Sequence, residues 1–431
     1  MKYLLSIIIP TRNRQKYALA AALQTYSVTD ERVQIVISDN SDDDSLEKDI
    51  LAQNFSERVV YKYISGRIPG VDNYISGIEL SEGEYLCNIG DDDGVMRYIT
   101  DFVEWAKRHD IKAITPSSST YYMWPGVLAT CPKGRLTIGS IHKSYFEYRS
   151  PQDGLIEMIR RGGVECYNLE VAKMYHGVVK RECFEKVKAI TGRYCGGLVP
   201  DVYLSTAFSL TIEKVLFIAI PLTIPGVCAS SESGKTANKK DYGELKDFSY
   251  FCGQDYTWSS KIPYFYSSNT IWADSLMHAL EDMGANQMVS MFDLESFITS
   301  CKELYPEYSE HLETFYSKFN VNMNKQVQLN KQKHTRKASK TLMLLKAKIA
   351  RRLPLKLKQI IKMMLRINNT ARVSPETRES DEATQSLASR PQTEIFKYIE
   401  VDDIIKAEKA IFEHIEIDVN EYVEQIKSKV I

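Results

Sequence analysis

Two runs of three consecutive aspartates are the residues of this chain most suited to chemistry. The first triplet lies in "VISDNSDDDS" (Asp42, Asp43 and Asp44) and the second in "YLCNIGDDDGV" (Asp91, Asp92 and Asp93). Adjacent carboxylates repel one another and are costly to bury, so neither run is expected to be a buried packing element. Each triplet therefore predicts a metal site, an acidic turn in water, or a helix start.

The second triplet is the better candidate for a metal site. Gly90 and Gly94 flank it, so the backbone can turn sharply and approach a ligand closely. The apolar residues 85–89 precede it and would deliver the carboxylates to one edge of a sheet. In an extended turn Asp91 and Asp93 would face the same side, where Mg²⁺ or Mn²⁺ could bridge them to substrate phosphates. A solvated acidic turn is the alternative.

The first triplet is better explained by a helix start. Ser41 is a good N-cap residue, and residues 42–44 would fill the first turn of the next helix, near its unpaired N–H groups and the positive end of its dipole. Asp39 differs, because it ends the preceding strand and faces the expected ligand crevice. Its carboxylate could accept an N–H from a ligand such as a nucleobase.

The elements that must position these residues follow from the hydrophobic pattern of the first hundred residues. The pattern predicts strands at 4–9, 33–37, 59–64 and 85–89, and helices at 15–26, 45–55 and 72–80. Strands that alternate with helices predict βαβ units and a parallel sheet. Such sheets bind ligands beyond the carboxyl ends of their strands, which is where Asp39 and the second triplet would lie.

Length and composition limit the class of protein. The 431 residues predict two or three units, and a net charge of −1 gives no reason to expect nucleic acid as a partner. The eight cysteines have neither C-x-x-C nor zinc-finger spacing, which fits a reducing compartment. The N-terminal apolar run is too short for a signal peptide, and no stretch has the roughly 20 apolar residues that cross a membrane. We expect a cytoplasmic protein that can reach the inner face of the cell membrane.

The C-terminal third departs from the α/β pattern. Residues 291–367 predict a helical extension, in which 341–367 combines apolar helical faces with Lys and Arg. That pattern fits a helix lying on an anionic membrane surface, or a bundle helix packed on the first domain. Residues 368–392 predict a linker. The acidic amphipathic residues 393–431 could pack on the basic segment or on a second copy of the chain, giving a homo-oligomer.

Three stretches of the first 95 residues resemble glycosyltransferase family 2, which has the GT-A fold. "LLSIIIPTRNR" resembles the family's first strand and turn, "QIVISDNSDDDS" its second strand, and "GVDNYISGIELSEGEYLCNIGDDDGV" the segment that leads to its D-x-D motif. The resemblance implies an α/β domain over residues 1–290, with a mostly parallel central sheet flanked by helices. The helical extension would follow it.

The resemblance also implies which residues bind a nucleotide-sugar donor. Pro10, Thr11 and Arg12 would lie against the nucleoside. Asp39 would read the base, and Arg67 would touch the base or a phosphate. The second triplet would be the D-x-D region, with Asp93 and Asp91 as ligands of Mn²⁺ or Mg²⁺ and Asp92 beside the donor.

The resemblance places a general base at the start of a later helix, and "GGLVPDVYLS" supplies Asp201 there. The sequence departs from the commoner Glu-Asp form of the family, because Pro200 precedes this aspartate. Proline followed by an acid is also ordinary helix-start chemistry, so a structural role stays open. His176 in "MYHGVV" could line the acceptor site or have a structural role.

The implied function is an inverting, metal-dependent transfer of a sugar from a nucleotide diphosphate sugar, with UDP as the expected nucleotide. The acceptor would be a glycan or a lipid-linked glycan in cell-surface polysaccharide synthesis. Two other classes stay open. One is a nucleotidyltransferase on a similar sheet, which "PTRNRQK" disfavours because it has no glycine. The other is a non-catalytic membrane-binding or protein-binding module.

Overall fold

The computed structural model describes residues 1–116, 120–128, 132–139, 145–164, 169–237, 242–248, 251, 256–319, 397–415 and 418–430. The chain divides into two compact units, one formed by Met1–Glu313 with Glu394–Ile431 and the other by Thr314–Thr393. In the second unit, residues 314–319 are helical. The predicted basic segment 341–367 and the linker 368–392 lie outside the described residues.

The described strands include every strand predicted in the first hundred residues. In chain order they are β1 (Tyr3–Thr11), β2 (Val33–Asp39), β3 (Val59–Tyr63), β4 (Gly83–Asn88), β5 (Gly94–Val95), β6 (Ala113–Pro116), β7 (Tyr121–Met123), β8 (Arg135–Ile138), β9 (Phe146–Arg149), β10 (Val178–Lys180), β11 (Val215–Ile218), β12 (Thr223–Ile224), β13 (Gly226–Val227), β14 (Tyr242–Gly243), β15 (Tyr266–Ser267) and β16 (Lys397–Ile399).

The helices alternate with these strands in the first half of the chain, as the pattern predicts. They are α1 (Gln15–Val28), α2 (Ser45–Ala52), α3 (Gly70–Leu80), α4 (Ile99–Arg108), α5 (Gln152–Arg160), α6 (Arg181–Thr191), α7 (Pro200–Thr211), α8 (Glu232–Ala237), α9 (Ser268–Asp282), α10 (Leu294–Leu304), α11 (Ile404–Ile415) and α12 (Val419–Val430). No helix among the described residues is both long and apolar enough to cross a membrane.

Eight strands form the central sheet, in the order β3-β2-β1-β4-β10-β6-β11-β9. β1 to β4 run parallel to one another, and β11 runs parallel to β6. β10 is antiparallel to both of its neighbours, and β9 is antiparallel to β11. The predicted fold class, a mostly parallel sheet flanked by helices, is confirmed.

The isoleucine-rich run of β1 is apolar throughout because both faces of the sheet are covered. Leu5, Ile7 and Ile9 pack with residues of α1 and α4 on one face, and Ile8 packs with α3 and α7 residues on the other. Such two-sided burial is typical of strands in parallel sheets. α3 lies especially close, since a Cβ on Gly77 would be 2.4 Å from Ile8 Cγ2.

The first triplet lies before helix α2 and not in its first turn, so that prediction is wrong. The helix begins at Ser45 with Asp44 as its N-cap residue. Ser41 does not cap it, because the Ser41 hydroxyl accepts a hydrogen bond from Asn13 N at 2.9 Å. Asp42 forms an ion pair with Arg12 at 2.6 Å. Ser41 and Asp42 therefore contact the turn after β1 and do not form the start of α2.

The acidic C-terminal segment belongs to the first unit and packs into its core. β16 extends the smaller sheet of order β13-β7-β8-β16 by pairing antiparallel with β8. The apolar faces of α11 and α12 join the same core as β1 and α4 through Ile404, Ala407, Ile411, Ile415, Tyr422, Val423 and Ile426. Buried Glu408 adds an ion pair with Arg97, 2.7 Å apart.

Candidate active site

The carboxyl ends of β1, β2 and β4 meet at one edge of the sheet, and hydrogen bonds join the residues there. Thr11 lies opposite Asp39 in the strand register. Its hydroxyl donates to Asp91 Oδ2 at 2.6 Å. From α3, Asn73 Nδ2 donates to the Thr11 carbonyl at 3.1 Å, and Asn73 Oδ1 accepts from Ser38 Oγ at 2.7 Å. Residues from four separate elements are thereby held within one crevice.

Asp39 lies where the sequence predicts, at the end of β2, but its carboxylate is fully buried. Oδ1 accepts from Ser41 N at 2.8 Å and Oδ2 from the Tyr61 hydroxyl at 2.9 Å. Burial and this bond to Asp39 raise the pKa of Tyr61, so the phenol stays a donor. A nucleobase N–H would have to share Asp39 with these two donors.

The two predicted arginines contact protein groups at this edge. Arg12 donates from Nη1 to the Asn40 carbonyl at 2.8 Å and to Asn40 Oδ1 at 2.9 Å. Arg67 donates from Nη2 to the Phe251 carbonyl at 3.1 Å. Pro10 precedes Thr11 on β1 and is partly buried. Arg12 lies beside the crevice, and Arg67 joins the loop before α3 to the segment before α9.

The second triplet is buried, which overturns the expectation that no aspartate run would be. Asp91 and Asp93 have no exposed surface and Asp92 has 3%. The burial is possible because donors from several elements meet the carboxylates, as the desolvation of a charge requires. Asp92 Oδ2 accepts from Cys228 N at 2.8 Å, and its backbone carbonyl accepts from Trp124 Nε1 at 2.8 Å.

Asp93 is held by donors on both carboxylate oxygens. Oδ1 accepts from Gly226 N at 2.5 Å, and Oδ2 accepts from Gly90 N at 2.5 Å and from the Tyr175 hydroxyl at 3.0 Å. The segment that carries Gly226 lies so close that a Cβ there would be 1.8 Å from the Asp92 carbonyl oxygen. Only glycine fits at that position without a shift of the backbone.

His176 contacts the triplet from a strained backbone conformation. Its Nε2 lies 3.2 Å from Asp93 Oδ2 and its Nδ1 lies 2.9 Å from Thr223 Oγ1. Its φ of 58° belongs to the left-handed region that non-glycine residues rarely adopt, a conformation often found at functional sites. The sequence suggested an acceptor-site or structural role and gave no sign of this contact, because 82 residues separate the two side chains along the chain.

Burial sets the protonation of this cluster. It raises the pKa of Asp91 to about 7, although the positive charge of Arg14 acts to lower that pKa. Burial also raises the pKa of Asp93 well above its usual range. It lowers the pKa of His176 to about 3, so the imidazole is neutral. A cluster with few net charges is the arrangement that a low-dielectric interior favours.

The triplet in this arrangement does not fit a divalent cation. Mg²⁺ and Mn²⁺ need several oxygen ligands that can turn towards one point. Each carboxylate of the triplet is already held by protein donors, and Arg14 Nη2 lies 3.0 Å from Asp91 Oδ1. Within the described parts of the chain, no group of three or more His, Cys, Asp or Glu residues could hold a metal ion.

Asp201 lies in the first turn of α7, directly after Pro200, as the sequence predicts. Its Oδ1 accepts a hydrogen bond from the Tyr74 hydroxyl at 3.2 Å. Tyr74 follows Asn73 on α3, so adjacent residues of one helix contact the end of β1 and the carboxylate of Asp201. The sequence predicts β1, α3 and the helix start at Asp201, but it does not show that α3 contacts both of the others.

A cavity of about 340 Å³ lies beside these elements, and sequence reasoning did not find its lining. Asp72 and Ile75 of α3, Leu198 of the loop before α7, and the aromatic residues Phe251 and Tyr256 border it. The cavity therefore lies next to α3 and to the start of α7, the helices that carry Tyr74 and Asp201. Aromatic rings next to polar groups are a lining that suits a sugar ring.

Comparison with known families finds a match in the first part of the chain. Residues 6–127 match the model for "Glycosyl transferase family 2". This confirms the resemblance to glycosyl transferase family 2. The matched range includes Thr11, Asp39 and the second triplet, and it ends before Asp201. With the sheet topology, the GT-A fold expected for family 2 is confirmed. No curated protein matches the chain.

Among solved structures, similar chains include crystal structures of S. aureus TarS. One has 12% identity and a TM-score of 0.34, covering 55% of this chain and 39% of that chain. TarS 1–349 in complex with UDP-GlcNAc has 11% identity and a TM-score of 0.38, covering 72% and 80%. TarS 1–349 in complex with UDP has 12% identity and a TM-score of 0.35, covering 55% and 64%.

Proposed function

We propose that this protein is an inverting glycosyltransferase that moves a sugar from a nucleotide diphosphate sugar, UDP-linked, to a hydroxyl of a glycan or lipid-linked glycan. Cell-surface polysaccharide synthesis at the inner face of the membrane is the process that we assign to it. The family 2 match over residues 6–127 supports the reaction class.

The observation that carries the proposal is the linkage of the sheet edge to Asp201 through one helix. Asn73 holds the end of β1, where Thr11 meets Asp91, and Tyr74 holds Asp201. A donor whose nucleoside lies against β1 and β2 would therefore have its reacting end near α3 and α7. The adjoining cavity supplies room for a sugar.

In the proposed reaction an acceptor hydroxyl oxygen attacks the anomeric carbon, and the bond from that carbon to the diphosphate oxygen breaks. The diphosphate leaves with the electron pair. Asp201 takes the hydroxyl proton, which is general-base catalysis by a positioned carboxylate. The Tyr74 hydroxyl orients Asp201 by donating to Oδ1. Attack from the face opposite the leaving group inverts the anomeric centre.

The expected cofactor, Mn²⁺ or Mg²⁺ at Asp91 and Asp93, stays a prediction. The enclosed carboxylates do not fit it as they stand, so none of the steps above requires it. The proposed membrane contact through residues 341–367 and a homo-oligomer through the C-terminal helices are predictions of the same kind.

The proposal is tested by thermal unfolding of the purified chain with UDP, GDP, CMP and dTDP, each with Mn²⁺ and with EDTA. A ligand that binds only the native state raises its melting temperature by mass action. We expect UDP to raise it and the others to raise it less. Asp39→Asn should remove the preference for UDP, and Asp153→Asn, an exposed helix-start control, should keep it.

A rise with another nucleotide would correct the donor and keep the reaction class. No rise with any nucleotide would favour the non-catalytic binding module. For each nucleotide, the difference in melting temperature between the Mn²⁺ and the EDTA samples tests the cofactor. This comparison does not depend on which nucleotide binds.

A further inference from the structure

The contacts of Arg14 point to a role that the family resemblance does not give it. Arg14 follows the turn after β1 and is the residue before the first turn of α1. Its Nη2 lies 3.0 Å from Asp91 Oδ1 and its Nη1 lies 3.7 Å from Asp92 Oδ1. The side chain is 13% exposed, so the guanidinium is almost as enclosed as the acids.

Two adjacent buried carboxylates need a positive charge nearby, because an unpaired ion in a low-dielectric interior is costly. A guanidinium is always charged, and its planar fork can meet two carboxylates at once. Among the residues that the structure describes, Arg14 lies within ion-pair distance of both Asp91 and Asp92. It therefore pairs with Asp91, one of the two carboxylates that the D-x-D prediction assigns to a metal ion.

A divalent cation and Arg14 cannot hold these oxygens together. The metal needs carboxylate oxygens at roughly 2.1 Å, and the guanidinium would then face a like charge a few ångströms away. The remaining carboxylate, Asp93, is enclosed by Gly226 N and Gly90 N, both at 2.5 Å. Metal entry thus requires that Arg14 leave and that the segment at Gly226 shift.

We propose that Arg14 is the resident counter-ion of Asp91 and Asp92, and that it excludes Mn²⁺ and Mg²⁺ from the second triplet while no nucleotide is bound. The inference concerns the triplet's own contacts and goes beyond the proposed sugar transfer. A protein with this pairing does not hold a metal at rest, because Arg14 offsets the charge of Asp91 and Asp92.

The test is a Mn²⁺ titration of the purified full chain without nucleotide, with free Mn²⁺ followed by electron paramagnetic resonance. Arg14→Gln removes the charge and should bind Mn²⁺ at least about tenfold more tightly than the wild type, since a unit charge at this distance is worth more than tenfold in affinity. Arg14→Lys keeps the charge and should bind as weakly as the wild type. Arg12→Gln is the matched control, because Arg12 pairs with Asp42 and not with the second triplet.

Adding Asp91→Asn to Arg14→Gln should abolish the gained binding, which locates it at the triplet. Equal Mn²⁺ affinity in the wild type and Arg14→Gln, or an equal gain in Arg12→Gln, would overturn the proposal. If Arg14→Gln does not fold, Mn²⁺ should restore its folding and raise its melting temperature, because the metal replaces the lost charge. Failure of Mn²⁺ to do so would also overturn it. Nucleotide is absent throughout, so the result is independent of the proposed transfer.

Discussion

The Thr11 hydroxyl donates a 2.6 Å hydrogen bond to Asp91 Oδ2, joining two residues that are 80 positions apart in the sequence. Thr11 ends β1, and Asp91 follows β4, which pairs with β1 in parallel. Both groups are buried. The bond therefore fixes the position of the acidic triplet relative to the strand end where a nucleoside would lie.

Replacing Thr11 with Val should destabilise the protein by about 1–3 kcal/mol, because the isosteric side chain leaves a buried carboxylate oxygen without its donor. Urea unfolding followed by circular dichroism measures the free energy. Thr11→Ser is the matched control, since it keeps the hydroxyl and should lose less. A Val variant as stable as the Ser variant would show that this bond contributes nothing net.

Asp201→Asn should lower the transfer rate by about 10²–10⁴-fold if the carboxylate is the general base. The rate is measured as nucleoside diphosphate released from the donor class that the nucleotide screen identifies. Nucleotide-induced thermal stabilisation should stay unchanged, because Asp201 is not assigned to the nucleoside. Asp153→Asn changes another first-turn helical aspartate and should have no effect on the rate. Normal transfer by Asp201→Asn would assign the base to a different residue.

Arg97→Ala should destabilise the first unit by about 1–3 kcal/mol, because the buried Glu408 carboxylate loses the guanidinium and keeps the backbone N–H of residue 97 as a donor. The Glu408 side chain is 2% exposed and Arg97 is 42% exposed, so the loss should be below that of a fully buried pair. Lys406→Ala on the same helix is the control. It removes an exposed pair with Asp402 and should cost less than Arg97→Ala, because solvent screens exposed pairs. Equal losses in urea unfolding would mean that the Arg97–Glu408 pair adds little to the stability of the unit.

Asp274→Asn should change how stability depends on pH. The Asp274 carboxyl is buried and accepts a hydrogen bond from the Tyr256 hydroxyl. Its Oδ1 accepts a second hydrogen bond from Ser259 N at 2.8 Å and lies 3.6 Å from His278 Nε2. Burial raises its pKa, so above its ordinary value of 3.8 the folded chain binds more protons than the unfolded chain. Its contribution to stability therefore falls as pH rises.

The melting temperature of Asp274→Asn relative to the wild type should accordingly increase from pH 4 to pH 8. Differential scanning calorimetry at several pH values gives this difference directly. A constant difference for Asp274→Asn would mean that the carboxyl titrates alike in the folded and unfolded chains.

The local pattern of the first hundred residues determined the order and type of the elements. The continuous apolar run of β1 predicts a strand covered on both faces, and helices lie on both sides of it in the fold. The positions of Asp39 and Asp91 follow from the same pattern, because Asp39 ends a strand and Asp91 comes shortly after one. The position of Asp201 at a helix start was implied by the family resemblance. These features depend on neighbours within a few residues, which a sequence displays.

Only the tertiary structure decided which groups meet the carboxylates. Gly226 and Cys228 reach the second triplet from more than 130 residues away, and their N–H groups enclose it where the sequence predicted exposure. The apolar residues of the acidic C-terminal helices likewise pack against residues that are distant in the sequence, in the core of the first unit. Charge repulsion can be read from adjacent residues, but donors that offset it come from the folding of distant segments. The burial of an acidic triplet, and the place of Arg14 beside it, are therefore properties of the fold.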